Sequence, residues 1–114
     1  VQDKLSYAVI GCAMTVHSTL GLDYQEVIYQ RALALEMTKQ GISFQRELPM
    51  AIHYDGEHIG NRRVDFFVAG RLMVELKAIG ALEDTHHIQI MNYCQMHKLP
   101  SGLLINFGAR KLDF

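Results

Sequence analysis

"VDFFVAGRLMVELKA", Val64 to Ala78, is the stretch that decides the fold, because it carries three charges inside two runs that otherwise read as buried strand. "RRVDFFV" and "RLMVELKA" meet around Ala69 and Gly70 and have the composition of hairpin strands. Side chains alternate along a strand, so Glu75 and Lys77 share one face while Leu72, Val74 and Leu76 take the other. The face of Asp65 depends on the loop. If Ala69 and Gly70 alone formed a two-residue turn, Asp65 would pair with Val74 and point away from Glu75. A shared site requires an odd loop, such as Ala69 to Arg71, or a bulge that re-aims Asp65.

Working outward, Leu5, Ala8, Val9, Cys12, Val16 and Leu20 follow a three-four spacing that predicts a helix over 3–20, stopped by Gly21. A second helix is expected over 24–40, with Asp23 as N-cap and Gly41 just past its end. "ISFQREL" and "MAIHY" alternate and read as two further short strands, with Asp55 and Gly56 as a tight-turn pair. Asp84 or Thr85 can cap a helix running to about His97, and after Pro100 "GLLINF" suits a sheet interior. The expected order is α-α-β-β-β-β-α-β, a single α/β domain spanning residues 1–114.

Composition narrows the function classes. With 114 residues, 49% of them hydrophobic, the chain can bury one core. A net charge of −1 argues against a general polyanion-binding coat, so any nucleic-acid contact must be local. Two cysteines make no disulfide framework, no apolar run reaches about 18 residues, and the first residues lack secretory-signal character. The expectation is a cytoplasmic protein with no membrane segment.

Two carboxylates about 4 Å apart repel by about 4 kcal/mol at an effective dielectric near 20, so Asp65 beside Glu75 calls for a cation. Lys77 supplies part of it and Mg²⁺ suits the rest, since that ion takes hard oxygen ligands together with water and phosphate. The plainer reading is a set of solvated charges on the open face of a hairpin. Two more stretches bear on the choice. In "GLDYQEVIYQRAL", Glu26 and Tyr29 lie three apart on one side of the second helix, although a first-turn acid also has a helix-dipole explanation. In "HHIQIMNYCQ", Gln89 and Tyr93 share a helical face with His86, leaving Ile90, Met91 and Cys94 to pack inward.

Taken together and in this order, these stretches resemble the GxxExxY family, a branch of the PD-(D/E)XK nuclease superfamily. The resemblance runs from "LGLDYQEVIY" at Leu20 through "VDFFVAGRLMVELKA" and "HHIQIMNYC" to "LPSGLLINFGARKLDF". It implies a restriction-endonuclease-like αβββαβ core, a mixed sheet flanked by helices, with the first helix as an addition. It also implies a Mg²⁺-dependent or Mn²⁺-dependent nuclease acting on nucleic acid, DNA ahead of RNA. The site would comprise Glu26, Asp65, Glu75, Lys77, Gln89 and Tyr93, with Asp65, Glu75 and Glu26 serving the metal. Asp23 stands where the family has the glycine of its name, a change read as structural because Asp caps helices and tolerates unusual φ.

Other features carry less. His53 and His58 flank the Asp55-Gly56 turn, and His87, Cys94 and His97 have loose spacing that does not match a paired zinc motif. Arg62, Arg63 and Arg71 cluster near the acids and suit backbone contact with nucleic acid, or a solvated strand face. The six methionines read as gap-filling core or surface positions. Two alternatives stand beside a nuclease: a catalytically silent nuclease-like fold that binds nucleic acid or protein, and a structural or regulatory homodimer built on the apolar helices.

Overall fold

The computed structural model describes residues 3–114. Asp3 opens the first helix, α1 (Lys4–Leu20), by accepting a hydrogen bond from the Ser6 N–H at 2.9 Å. Gly21, at φ +73°, closes it. The second helix, α2 (Glu26–Lys39), begins two residues later than expected. Asp23 lies at φ +74°, outside the extended conformation an N-cap needs, and Gln25 takes the cap position instead. At its far end the Gly41 N–H reaches Thr38 O and the Ile42 N–H reaches Met37 O, the paired bonds of a Schellman close around a left-handed glycine.

Three strands follow, not four: β1 (Phe44–Tyr54), β2 (Glu57–Val68) and β3 (Leu72–Lys77). "ISFQREL" and "MAIHY" belong to one long strand that runs through Pro49. That is permissible because β1 is an edge strand, where a missing N–H need cost no ladder bond. The third helix, α3 (Asp84–Met96), is capped by Glu83 and not by Asp84 or Thr85, through a reciprocal pair in which Glu83 accepts from the His86 backbone and the Glu83 N–H donates to His86 Nδ1. It crosses to β4 (Gly102–Asn106), which lies parallel to β3. The sheet order is β1-β2-β3-β4, with the first three antiparallel.

The two sheet faces are covered unequally. Val9, Val16, Tyr29, Leu33 and Met37 from α1 and α2 pack on Phe66, Val74, Leu76, Ile105 and Phe107. Ile90 and Cys94 from α3 pack on Val64, Met73 and Leu104 on the other side. Met91, expected to pack inward, is exposed, because the 3.6-residue period that buries Ile90 and Cys94 carries it around to solvent. No helix among the described residues is long and apolar enough to cross a membrane, and both cysteines are free and buried.

One irregularity shapes everything that follows. Phe66 and Val68 face α1 and α2, yet Val64 faces α3, although residues two apart on a regular strand share a face. On β1, Phe44 packs with the first group while Leu48 and Met50 pack with the second. Both strands therefore change sides at one rung, where Glu47 (φ +55°) lies across from Asp65 between the Arg46↔Phe66 and Leu48↔Val64 pairs.

Close approaches fix the last loops. A Cβ on Gly108 would meet Ile79 backbone atoms at 2.3 Å, whereas one on Gly11, in mid-α1, would meet nothing within 4 Å. Gly108→Ala is expected to destabilise by about 3 kcal/mol, lowering the unfolding midpoint by about 10 °C. Gly11→Ala should instead raise stability by about 0.5–1 kcal/mol. Calorimetric melts of the two variants beside wild type check both signs.

Candidate active site

The β2-β3 pairing runs Val68↔Leu72, Phe67↔Met73 and Phe66↔Val74. The loop between the strands is therefore Ala69 to Arg71, the odd loop that a shared site requires. Ala69 and Gly70 both hold positive φ, and the Arg71 N–H closes back on Val68 O at 3.0 Å. Continued by one rung, this register sets Asp65 opposite Glu75. The ladder does not continue as backbone, however. The Leu76 N–H donates to Asp65 Oδ2 at 2.8 Å, so a side chain takes the place of a strand carbonyl and the two strands separate there.

Asp65 is held from a second direction. Its Oδ1 accepts from Gln30 Nε2 at 2.8 Å, and Gln30 is buried on α2 one turn beyond Glu26. Gln30 was not among the expected site residues, although its place four residues after Glu26, on the same helical face, was the available signal. Tyr29 has a structural part: fully buried, it stacks on Phe107 with ring centroids 4.8 Å apart and donates its hydroxyl to Gly21 O at 2.6 Å.

Glu75 is the most buried of the site acids, at 5% exposure. Its Oε2 accepts from Arg62 Nη2 at 3.2 Å, while its Oε1 is buried without a hydrogen-bond partner among the described residues. Burial pushes its carboxyl up to about 7, the Asp65 charge pushes the same way, and Arg62 opposes both. Of the three arginines read as a cluster, Arg62 alone pairs with a site acid among the described residues; Arg63 is exposed, and Arg71 is drawn off to Asp3 at 2.8 Å.

Lys77, half-buried at the end of β3, has no salt bridge or side-chain hydrogen bond among the described residues. The backbone beside it is tightly held. Lys77 O accepts from the Phe107 N–H at 2.8 Å, and fully buried Asn106 pins the next turn by accepting from the Ile79 and Gly108 N–H groups and donating to Ile79 O. An amide inside the apolar run "GLLINF" was the sequence signal for this clamp.

Glu26 opens α2 with an exposed side chain. Partial desolvation raises its carboxyl, the Asp65 charge adds to the rise and the Lys77 charge opposes it. Tyr93 is half-buried, with the Arg62 guanidinium 4.4 Å from its ring centroid, and Gln89 is exposed one turn earlier on α3. Arg62 thus joins Glu75 to Tyr93, whereas no contact among the described residues ties Gln89 to this group.

Among the described residues, no three His, Cys, Asp or Glu side chains are grouped to hold a metal ion. Mg²⁺ does not need such a cage, since it is held by one or two carboxylates with water and phosphate completing its octahedron. Asp65 beside Glu75, with an orphaned Oε1 and adjoining like charges, has the hard-oxygen chemistry that fits such a cation.

A carboxyl raised from its ordinary 4.5 to about 7 binds a proton in the folded protein that the unfolded chain has lost, so stability falls as pH rises through that window. The metal-free protein is expected to lose about 3 kcal/mol from this group between pH 4.5 and 7. Glu75→Gln should remove most of that slope and be the more stable protein at pH 8. Added Mn²⁺ should raise the wild-type melting temperature at pH 8 and leave Glu75→Gln unmoved, as urea or thermal melts against pH will register.

A family model described as the PD-(D/E)XK nuclease superfamily matches residues 3–114. No curated protein and no solved structure matches the chain. Members of that superfamily typically use divalent metals. The match covers the two-helix lead, the mixed sheet, the separated β2 and β3 strands and the β4 crossover, and the chain belongs to the PD-(D/E)XK nuclease superfamily.

Proposed function

We propose that the protein is a divalent-metal-dependent nuclease that hydrolyses phosphodiester bonds of nucleic acid, with DNA as the first candidate. The observation that carries this reading is the buried Glu75 carboxyl, set beside Asp65 and two residues before Lys77, where among the described residues neither Glu75 Oε1 nor the Lys77 amine has a side-chain partner. Placement within the GxxExxY branch is part of the proposal. It is supported by Glu26 and Tyr29 on α2 and by Asp23, whose φ of +74° is the backbone conformation a glycine adopts freely.

In this reading Asp65 and Glu75 would hold Mg²⁺ or Mn²⁺, which would supply Lewis-acid polarisation of a phosphoryl oxygen and a more acidic water. Gln30 and the Leu76 N–H keep Asp65 aimed, so little reorganisation is needed when the cation arrives. Lys77 orients the attacking water and balances charge as the phosphoryl oxygens become more negative. The water oxygen bonds to phosphorus, the ester P–O bond breaks, and the proton lost by water is matched by one gained at the leaving oxygen. Glu26 orders water at the open edge. Tyr93 and Gln89 place the substrate backbone, and the Asn106 clamp keeps the Lys77 backbone from shifting.

The experiment is cleavage of labelled single- and double-stranded DNA and RNA, with Mg²⁺ or Mn²⁺ against chelator. Wild type is expected to cut only with metal, and Lys77→Ala should lower turnover by about 10²-fold while its fold persists. Asp65→Asn should weaken metal binding as well. Undiminished cutting by Lys77→Ala would overturn the assignment. Metal-dependent binding of nucleic acid without cutting would favour the catalytically silent alternative.

A further inference from the structure

The Arg62-Glu75 pair is only half made. A guanidinium offers five N–H donors in a planar fork that matches the two oxygens of a carboxylate or phosphate, yet Arg62 gives Glu75 one bond at 3.2 Å. Its own Nε and the Glu75 Oε1 are both buried without partners among the described residues. A pair selected only to stabilise the fold would be expected to satisfy both ends, since a partly satisfied buried network is worse than a complete one. Arg62 is also not free to drift, because its guanidinium lies 4.4 Å from the centroid of the Tyr93 ring. It stands on this side of the sheet at all because β2 changes faces at Asp65, which puts Arg62 with Val64 and not with Phe66.

We propose that Arg62 is an exchangeable cation: it holds Glu75 while no divalent ion is bound, and turns to a phosphate of the nucleic-acid backbone once a divalent ion takes that carboxylate. The inference rests on the metal-dependent nuclease reading and names the side chain that contacts the substrate phosphate. A backbone phosphate would present two non-bridging oxygens to the guanidinium fork, whereas Glu75 engages it through Oε2 alone, and the divalent ion would supply the partner that Glu75 Oε1 lacks among the described residues. Tyr93 would then hold the guanidinium at the edge of the cleft in both states.

Binding measurements with the intact chain test this without cleavage. Titration calorimetry with Mn²⁺ should find Arg62→Gln binding the ion about fivefold more tightly than wild type or better, because the competing cation is gone. Binding of a labelled DNA duplex, followed against salt with Ca²⁺ present, should lose about 1 from its logarithmic salt slope in Arg62→Gln, and should lose nothing in chelator. Unchanged or weaker Mn²⁺ binding, a slope that falls equally in both conditions, or no Ca²⁺-dependent DNA binding by wild type would overturn the proposal. If Arg62→Gln does not fold, Arg62→Met, which keeps the apolar stem without the charge, decides by the same two measurements and the same outcomes. The two readings fail separately. A wild type that shows both binding effects but cuts nothing loses hydrolysis alone, and one that cuts with metal while Arg62→Gln changes neither measurement loses only the role of Arg62.

Discussion

The hydrogen bond from the Leu76 N–H to the Asp65 carboxylate is the interaction on which the rest of the site depends. It ends the β2-β3 ladder after Phe66↔Val74 by putting a side-chain acceptor where a strand carbonyl would stand. The Leu76 donor is thereby satisfied while the strands part, so the opening does not leave a buried amide without a partner. Gln30 holds the other carboxylate oxygen from α2 and so links the helical layer to the strand edge. Asp65 is in this sense both a structural cap and a candidate ligand, and the two roles ask for the same orientation.

The same rung carries an energetic tension. Glu75 is buried beside a second carboxylate, with one arginine bond to offset the loss of water, and its carboxyl is raised to about 7 as a result. Each buried polar atom left without a partner costs about 1–3 kcal/mol, and Arg62 Nε and Glu75 Oε1 are two of them. Stability given up where charge is concentrated is the pattern expected of a binding site that is completed by its ligand. Around it the structure is rigid: Asn106 satisfies three backbone groups next to Lys77, and Tyr29 ties the α1-α2 turn to Phe107 through its hydroxyl and its ring.

Sequence reasoning reached most of the fold because the signals for it are local. The α1 spacing, Gly21, Gly41 and the Asp55-Gly56 turn lie where the pattern put them. It erred where local signals compete. "ISFQREL" and "MAIHY" read as two strands, but they form one edge strand, which tolerates the missing N–H of Pro49 between them. Asp23 looked like a cap, yet its positive φ makes it a turn residue, with Gln25 left to begin α2. Met91 was placed inward, although the stripe defined by Ile90 and Cys94 excludes it.

What the sequence by itself determined is the inventory and its rough order: two leading helices, the acid-bearing hairpin, a capped crossover helix and an apolar last strand. Those follow from propensity, period and turn chemistry, which act over a few residues at a time. Only the tertiary structure decided which groups meet. The three-residue loop chose the register that sets Asp65 opposite Glu75, and the change of face at Glu47 and Asp65 swung Arg62 toward Glu75 and Tyr93. Gln30 joined the site because α2 packs over the parting strands. Register and strand twist depend on how two layers bury their apolar faces together, and no window of a few residues contains that information.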